Sequence, residues 1–470
     1  MQPSDYCVEV DGWFYIPYSN FQNPATMQKM KRFLTVQSRF KYDQEGQLTE
    51  PIYLYNDRPE DSCIGVPLRW GLKTFGHITS KIITDKLVCP AVTFSKLPDL
   101  YHEKASKDQP LCVEATVSAL KNNFASLLVA PTGSGKTVMA CSIIGHLQTK
   151  ALVILHNERL LEQWRYELMD KLGLSEQEIG TVKASLCDYE DKKVVLGSLQ
   201  TLYKGKYNTS LKNQFGLIVI DEVHKIGAPK LSGVLGLFSS RYQLALTATP
   251  TRKDGREDVF LTYFGTGDAT AKAAALPIKV NILPYVAKTR NWGKDRNGKI
   301  LCISRDSKRN KLIASLVVRL YKDGRNILVV SEYKAQLACL FSLLSQLGIP
   351  EEDLGKFYNG AIPTTKKAEV QKHFDNVISR CPIILATYGM IKEGISINRL
   401  DAGIDATPRT DATQLIGRIR RPYENKKLPL WYTINDVSDR LLSNFTEARV
   451  KDYQNDPSVE LVRHDSSYRQ

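Results

Sequence analysis

The sequence predicts an α/β protein in which two tandem parallel-sheet domains follow a small β-rich N-terminal segment. From about residue 110 onward, short apolar runs alternate with helical segments, and a second series of the same kind begins after residue 320. Uninterrupted apolar runs are typical of strands that are buried on both faces of a parallel sheet. The first 95 residues differ, with many aromatic residues and few helical periodicities. Two successive α/β domains after a β-rich segment are therefore the simplest interpretation.

The predicted strands divide the chain into three parts. The strand-like runs of the N-terminal segment lie at residues 13–16 and 52–55. The first α/β series comprises residues 126–130, 151–155, 194–198, 217–221 and 244–248. The second series comprises residues 326–331, 383–387, 402–405 and 430–435. We predict an accessory domain at residues 1–95 and α/β domains at residues 96–285 and 286–470.

The composition limits the class of protein. The 470 residues are 43% hydrophobic, which is enough for a core in each domain, and their formal net charge is +14. This charge indicates either a polyanionic partner or a generally basic surface. The nine cysteines are scattered without metal-ligand spacing, so we expect no structural metal cluster. Neither a signal peptide nor a run of about eighteen apolar residues occurs, so we expect a cytoplasmic protein with no membrane partner.

A basic stretch separates the two α/β series. Residues 288–311 contain nine Lys or Arg residues against two acidic ones and include the turn-forming pair Asn297-Gly298. We interpret this stretch as an inter-domain linker with a hairpin. Its charges are read as a solvated surface in preference to a dedicated nucleic-acid contact.

A glycine-rich loop follows the first strand of the first α/β series. Glycines there let backbone N–H groups converge on phosphate oxygens, and the N-terminus of the following helix adds positive potential. Lys136 would neutralise the β- and γ-phosphates of a nucleotide, and the Thr137 hydroxyl would coordinate Mg²⁺. A glycine-rich turn without a nucleotide is the structural alternative. The loop, in which an alanine takes the place of the usual first glycine, is Ala130, Pro131, Thr132, Gly133, Ser134, Gly135, Lys136 and Thr137.

Carboxylates follow a later strand of the same series. Asp221 and Glu222 come directly after the apolar run 217–220 and are followed by Val223 and His224. Open α/β sheets bind ligands at the carboxyl ends of their strands. We therefore predict that Asp221 holds Mg²⁺, that Glu222 polarises an attacking water, and that His224 belongs to the same catalytic group.

Two arginines far along the chain complete the predicted catalytic set. Gln414, Arg418 and Arg421 lie three or four residues apart, so on a helix they share one face. Arg418 and Arg421 could reach together toward a γ-phosphate held by the other domain, as arginine fingers do. A basic helix face exposed to solvent is the structural alternative.

These motifs, in this order, resemble those of superfamily 2 helicases over about residues 105–440. Residues 157–164 (NERLLEQW), 197–202 (GSLQTL), 329–337 (VVSEYKAQL) and 386–397 (ATYGMIKEGISI) extend the likeness. Residues 250–255 (PTRKDG) are similar to the branch that contains XPB-type and phage UvsW-type branch-migration helicases.

The resemblance implies two RecA-like domains that hydrolyse ATP with Mg²⁺ in the cleft between them. It also implies that Gly394 lies at the nucleotide, that residues 1–95 bind DNA, and that the protein works in the host cytoplasm if it comes from a phage. The side chains that would grip phosphates of the nucleic acid are Asn157, Arg159, Gln200, Thr201, Ser331 and Thr387. Any of these could instead be an ordinary cap or loop residue.

The sequence departs from the family pattern at two positions. When Glu114 and Ala115 are aligned with the adenine-recognition motif, Cys112 occupies the place of the usual glutamine, and Gln109 lies three residues earlier. Ser396 stands where many relatives have an aspartate, which weakens a ribose contact there.

The function that we predict is ATP-dependent unwinding or branch migration of forked, four-way or single-stranded DNA in recombination, replication and repair. An RNA helicase and a duplex translocase that does not separate strands are alternatives with the same core. An ATP-switched nucleic-acid clamp is an alternative of another class. The oligomeric state stays open, and a monomer is compatible with the motifs.

Overall fold

The computed structural model of the chain divides into two units, Met1–Ala273 and Ala274–Gln470. It describes residues 7–9, 12–41, 48–76, 81–83, 87–100, 108–131, 134–224, 233–234, 236–252, 254–271, 276–287, 295–358, 367–392, 397–409 and 413–465.

The first unit contains an N-terminal group of short elements and then a regular alternation of strands and helices. Its strands are β1 (Cys7–Glu9), β2 (Trp13–Pro17), β3 (Thr35–Val36), β4 (Ile52–Tyr53), β5 (Asn56–Arg58), β6 (Cys63–Pro67), β7 (Lys81–Ile83), β8 (Ala125–Val129), β9 (Ala151–Leu155), β10 (Ile179–Lys183), β11 (Leu186–Asp188), β12 (Val194–Ser198), β13 (Leu217–Ile220), β14 (Tyr242–Thr247) and β15 (Ala269–Thr270). Its helices are α1 (Pro24–Phe33), α2 (Leu68–Phe75), α3 (Asp108–Asn123), α4 (Lys136–Leu147), α5 (Glu158–Leu172), α6 (Leu199–Tyr203), α7 (Asn208–Leu211) and α8 (Asp258–Phe264).

A large parallel sheet forms the centre of the first unit. Its strand order is β11-β10-β12-β9-β13-β14-β8-β15, and every neighbouring pair is parallel except β10 and β11. The strands that the apolar runs predicted, β8, β9, β12, β13 and β14, are adjacent in this sheet, and β8, β9 and β13 are buried along their whole length. The prediction of a parallel sheet with two covered faces is confirmed for this unit.

The N-terminal segment is β-rich, as predicted, but it also contains two helices. Strands β2, β6 and β5 form an antiparallel sheet, while β3 pairs with β4 and β1 with β7. Helix α1 begins after Asn23, whose side chain accepts a hydrogen bond from the backbone N–H of Thr26, and Pro24 occupies its first position. An N-cap asparagine followed by proline is a helix-start signal. The sequence analysis named only strands in this segment and did not name these two helices.

The N-terminal segment shares a hydrophobic core with the large sheet. Phe14 and Val66 belong to the same buried cluster as Leu127 and Ile218 of the sheet. Arg69 of α2 donates to both oxygens of Asp268 and to the carbonyls of Ala125 and Phe264. The other face of the sheet is covered by α3, α4 and α5, which form a second cluster with it. The predicted limit at residue 95 thus separates two parts that pack as one unit.

The second unit contains a parallel sheet with the order β18-β19-β17-β20-β21-β16-β22. All six neighbouring pairs are parallel. Its strands are β16 (Ile278–Tyr285), β17 (Ile327–Ser331), β18 (Leu354–Phe357), β19 (Ile383–Thr387), β20 (Ala402–Asp405), β21 (Leu430–Asp436) and β22 (Val459–Arg463). Its helices are α9 (Arg296–Ser304), α10 (Ser307–Lys322), α11 (Lys334–Gln346), α12 (Lys367–Arg380), α13 (Tyr388–Lys392), α14 (Thr413–Ile419) and α15 (Arg440–Gln454).

Two boundaries near the start of the second unit differ from the prediction. Strand β16 pairs with β21 and β22, so the first α/β domain ends before residue 274 and not at residue 285. The basic stretch 288–311 is not a hairpin linker over its described part: α9 begins after Asp295, which caps it by accepting from the N–H of Gly298. Residues 288–294 lie outside the described part.

Within the described residues, no helix is both long enough and apolar enough to span a membrane.

Candidate nucleotide site and nucleic-acid contacts

The glycine-rich loop lies between the end of β8 and the start of α4. Gly135 caps α4 in the left-handed conformation (φ +79°), and the Ser134 hydroxyl donates to the carbonyl of Pro131 at 2.7 Å. Ala130 donates its N–H to the carbonyl of Thr247 at 2.8 Å, which ties the loop to the neighbouring strand. Thr132 and Gly133 lie outside the described residues.

Lys136, the first residue of α4, makes ion pairs with both carboxylates that follow β13. Its Nζ lies 2.6 Å from Oε1 of Glu222 and 3.3 Å from Oδ1 of Asp221. Burial alone would lower the pKa of Lys136, but the charges of Asp221 and Glu222 outweigh it and raise the pKa to about 12. The lysine is therefore a permanent cation held between two carboxylates.

Glu222 is held in an unusual conformation beside a histidine. Its φ of +54° lies in the left-handed region, which costs energy for any residue that carries a Cβ. Its Oε2 lies 3.2 Å from Nδ1 of His224, which in turn lies 3.5 Å from Oγ1 of Thr247. Although burial opposes ionisation, Lys136 and His224 keep the pKa of Glu222 below its usual range. The carboxylate is thus ionised and aimed at the loop.

Asp221 is positioned by two hydrogen bonds besides its contact with Lys136. Its Oδ1 accepts from the backbone N–H of Glu222 at 2.9 Å, and its Oδ2 accepts from the indole N–H of Trp164 at 3.0 Å. Trp164 belongs to α5 and is buried, as is Asp221.

Gln109 of α3 touches the glycine-rich loop. Its amide N–H donates to the carbonyl of Ser134 at 2.9 Å, and a side chain at Gly135 would collide with that amide at 2.3 Å. Cys112, the residue that alignment placed at the adenine, is buried on the same helix, and its thiol pKa is raised by burial. The glutamine nearest the loop is therefore Gln109.

The residues present fit a nucleotide with Mg²⁺. The loop leads into the N-terminus of a helix of 12 residues, where N–H groups and the helix dipole attract phosphate. A cation, Lys136, and a carboxylate, Asp221, lie within 3.3 Å of each other beside it, and Thr137 is in the first turn. Carboxylate and hydroxyl oxygens are ligands that Mg²⁺ prefers.

In the second unit, buried ion pairs fix the segment that leads to α14. Arg309 donates to both oxygens of Asp436 and to the carbonyl of Ala406. Asp405 pairs with Arg449 in the same interior. Such fully buried, multiply bonded pairs hold one backbone arrangement.

The three arginines at and just after the end of α14 have different environments. Arg420 is held by its own unit, because it donates to the carbonyl of Leu276 at 2.9 Å and to Asp456 at 2.6 Å. Arg418 lies on α14 and is 8% exposed. Arg421 follows the helix, which ends at Ile419, so the prediction of one continuous helix face was wrong for Arg421; burial lowers its pKa. The side chain of Gln414 and all of Gly394 lie outside the described residues.

Two of the six predicted nucleic-acid contacts are buried. Thr201 is buried, and its hydroxyl accepts from the N–H of Ala184 at 2.9 Å. Ser331 is fully buried, donates to Gln336 at 2.7 Å and accepts from the N–H of Tyr333 at 3.0 Å. Their burial and these hydrogen bonds favour a structural role for both residues.

Three of the other four predicted contacts lie at strand ends or on the surface. Asn157 follows β9 and Thr387 ends β19, and both are partly exposed. Gln200 is exposed on α6. The side chain of Arg159 lies outside the described residues.

Known proteins share these features. Residues 103–252, which include the loop and both carboxylates, match the family described as "Type III restriction enzyme, res subunit". A putative ATP-dependent RNA helicase of Acanthamoeba polyphaga mimivirus is 26% identical over 460 residues, which cover 94% of this chain and 84% of that protein. S. cerevisiae Dbp5 bound to RNA and ADP BeF3 matches 78% of this chain and 91% of its own with a TM-score of 0.55 at 13% identity. These matches, to a restriction-enzyme res subunit and to a viral protein described as a putative helicase, agree with the resemblance of the motifs to superfamily 2 helicases.

The two parallel-sheet units are RecA-like domains, since the likeness to the Dbp5 structure shows a shared fold. The structure of T4 UvsW matches 98% of this chain and 99% of its own, at 19% identity and with a TM-score of 0.40. That likeness is too weak to assign the branch.

Two residues of the candidate site were not assigned a role from the sequence. Gln109 was named beside Cys112, and the sequence left open how the adenine is bound. Trp164 was placed in a strand-contacting motif, and 57 residues separate it from Asp221. A buried tryptophan needs an acceptor for its N–H, but the sequence does not say which acceptor it has.

Proposed function

We propose that this protein is an ATP-driven DNA motor that unwinds or branch-migrates forked and four-way DNA during recombination, replication and repair. The observation that carries the proposal is the contact of Lys136 with Asp221 and Glu222 beside the N-terminus of α4. It gathers a phosphate-binding cation, a metal-binding carboxylate and a candidate base at the carboxyl edge of one parallel sheet.

The ion pairs indicate what nucleotide binding changes. The phosphates of ATP would compete with Glu222 and Asp221 for Lys136, because all three are anions. When Lys136 turns to the phosphates, Asp221 is released to hold Mg²⁺, and Glu222 is released to orient the attacking water. Bound Mg²⁺ supplies charge neutralisation at the β- and γ-phosphates.

The second unit would supply the arginines that act on the γ-phosphate. We assign the finger role to Arg418 and Arg421, as the resemblance to superfamily 2 helicases implies. Arg420 binds the carbonyl of Leu276 and the carboxylate of Asp456. Closure on ATP followed by release after hydrolysis would move one domain relative to the other. Asn157, Gln200 and Thr387 would hold the strand through phosphate contacts, which need no base readout.

DNA is preferred as the substrate because residues 250–255 resemble the XPB and UvsW branch. In this chain that segment contacts the N-terminal segment. Arg252 and Asp254 pair at 2.6 Å, the carbonyl of Asp254 accepts from the N–H of Arg39 at 2.9 Å, and Arg256 donates to the carbonyl of Glu50 at 2.6 Å. The segment after Thr249 therefore couples an accessory module to the nucleotide-binding domain, which supports a junction-remodelling role.

An aromatic and basic surface on the accessory module is the proposed contact for branched DNA. Phe33 is 68% exposed, and its ring stacks on Trp70 with centroids 5.8 Å apart. Lys29, one turn before Phe33 on α1, and Lys73, one turn after Trp70 on α2, are exposed beside them. Exposed rings flanked by cations suit unpaired bases and their phosphates at a branch point.

A strand-separation assay tests the proposal. Wild-type protein with ATP should convert a labelled four-way junction to forked products, whereas Glu222→Gln should bind the junction but produce none. Phe33→Ala should reduce conversion of the junction and leave ATP hydrolysis on single-stranded DNA unchanged; Phe40→Ala, another exposed aromatic of the segment at 54% exposure, is the matched control. Binding of junctions without conversion or stimulated turnover by the wild type would instead favour the clamp.

RNA unwinding is the second candidate. The mimivirus relative is described as a putative ATP-dependent RNA helicase, and it is similar over 94% of this chain. An RNA duplex of the same sequence as the fork's arm distinguishes the two substrates in the same assay.

A further inference from the structure

Trp164 connects α5 to the nucleotide site. Its indole N–H donates to Oδ2 of Asp221 at 3.0 Å, and its ring is 1% exposed within the cluster that α3, α4 and α5 form with the sheet. We propose that Trp164 is a positioning residue for the ATP site, which fixes the Asp221 carboxylate in the orientation that Mg²⁺ binding requires. The inference rests on the proposed role of Asp221 and not on the nature of the nucleic acid.

The contacts of Asp221 define that orientation. Oδ2 accepts from Trp164, and Oδ1 accepts from the N–H of Glu222 at 2.9 Å while lying 3.3 Å from Nζ of Lys136. One hydrogen bond to each oxygen restricts the rotation of the carboxylate. Oδ2 still has a lone pair for a further ligand, and Oδ1 would have one once Lys136 turns to the phosphates.

Removing the indole N–H would favour Lys136 over Mg²⁺ in the competition for the oxygens of Asp221. Tryptophan is a donor only, so no other atom of its ring can replace the lost contact. Oδ2 would then lack its partner, and the carboxylate could turn so that both oxygens face Lys136. A carboxylate that shares both oxygens with a buried lysine is a poorer metal ligand, because the lysine charge competes with the ion.

The second unit provides a matched control. Trp431 is also buried and donates its indole N–H to Oδ2 of Asp405, again at 3.0 Å. Asp405 differs in its surroundings, because it pairs with the buried Arg449 and accepts from Thr433 and Tyr388. Trp431→Phe therefore removes the same kind of hydrogen bond from a carboxylate with no proposed metal role.

The experiment measures how nucleotide binding depends on Mg²⁺ in the full-length chain. Binding of a fluorescent ATP analogue is titrated with Mg²⁺ for the wild type, Trp164→Phe and Trp431→Phe, and repeated in EDTA. Hydrogen bonds to charged groups contribute about 1.5 kcal/mol or more, which corresponds to roughly tenfold in a binding constant. We expect the Mg²⁺ midpoint of Trp164→Phe to rise roughly tenfold, while that of Trp431→Phe and the EDTA binding of both variants stay at wild-type values.

The indole N–H signal of Trp164 reports directly on its hydrogen bond with Asp221 and does not depend on the stability of a variant. The five indole N–H signals in a ¹H–¹⁵N spectrum can be assigned by single Trp→Phe changes. Asp221→Asn should shift the Trp164 signal, and adding Mg²⁺ with nucleotide should shift it in the wild type. An unchanged Mg²⁺ midpoint in Trp164→Phe, or an equal loss of binding in EDTA, would overturn the proposal. Normal Mg²⁺-dependent nucleotide binding without strand separation would count against the DNA motor alone.

Discussion

The ammonium of Lys136 lies 2.6 Å from a carboxylate oxygen of Glu222, although 86 residues separate them in the sequence. Without a nucleotide, the two groups that would act on the γ-phosphate thus neutralise each other. Substituting one of the two residues at a time separates their effects on ATP turnover and on ATP affinity.

Lys136→Ala and Glu222→Gln should both lower ATP turnover by roughly 100-fold or more, because each removes a group that acts in the transition state. They should differ in nucleotide affinity. Lys136→Ala loses a phosphate contact, whereas Glu222→Gln frees Lys136 from an ionised competitor and should bind ATP at least as tightly as the wild type. Equilibrium binding of a labelled ATP analogue checks this, and an equal loss of affinity in both variants would contradict the assigned roles.

The pH dependence of kcat/KM for ATP reports the free enzyme. Lys136 and His224 hold the pKa of Glu222 below its usual range, so Glu222 is charged at every pH above about 4.3, the usual pKa of glutamate. The pKa of Lys136 is raised to about 12, so it stays protonated. Neither group should therefore produce a limb between pH 5.5 and 8.5. An acid limb that persists in His224→Ala would show that Glu222 titrates in this range.

Arg418 and Arg420 should give opposite results, although they are two residues apart. Arg418→Ala should lower turnover by roughly 1000-fold, as loss of an arginine finger does, while ATP affinity stays unchanged. Arg420→Ala removes contacts with Leu276 and Asp456 and should mainly lower the melting temperature. Near-normal stimulated turnover of Arg418→Ala would show that this arginine belongs to an ordinary basic face.

The N-terminal segment should not be removable without loss of stability. Arg69→Ala leaves Asp268 without its main partner in a largely buried setting and should cost about 3 kcal/mol of unfolding free energy. Arg39→Ala, whose side chain is 70% exposed and lies 3.4 Å from Glu257, should cost about 0.5 kcal/mol. Chemical denaturation measures both. Independent melting of residues 1–95, or a small effect of Arg69→Ala, would restore the predicted limit at residue 95.

The sequence predicted the parts of the site whose chemistry lies in consecutive residues. The glycine-rich loop, Asp221, Glu222 and the five central strands of the first sheet were all found, because each needs a local pattern of residue types. Strands β17, β19, β20 and β21 of the second unit were found for the same reason. The start of α1 could also have been found, because Asn23 and Pro24 form a local signal.

The sequence could not predict features that depend on distant partners or on burial. Trp164 meets Asp221 only through the packing of α5 on the sheet. The hydroxyls of Thr201 and Ser331 are polar and occur in strand-contacting motifs, yet the fold turns both inward. Strand β16 was missed because Asn281 and Pro284 interrupt its apolar pattern, and its place depends on pairing with β21 and β22.

Nucleic-acid-stimulated ATP hydrolysis is the most direct test of the central claim, that the protein is a motor driven by branched DNA. Turnover is measured with single-stranded DNA, duplex, fork, four-way junction and RNA at matched nucleotide concentration, with Glu222→Gln as the blank. We predict that forks and four-way junctions stimulate turnover several-fold more than single-stranded DNA or RNA. Stimulation by RNA equal to or greater than that by branched DNA, or no stimulation by any of them, would contradict the claim.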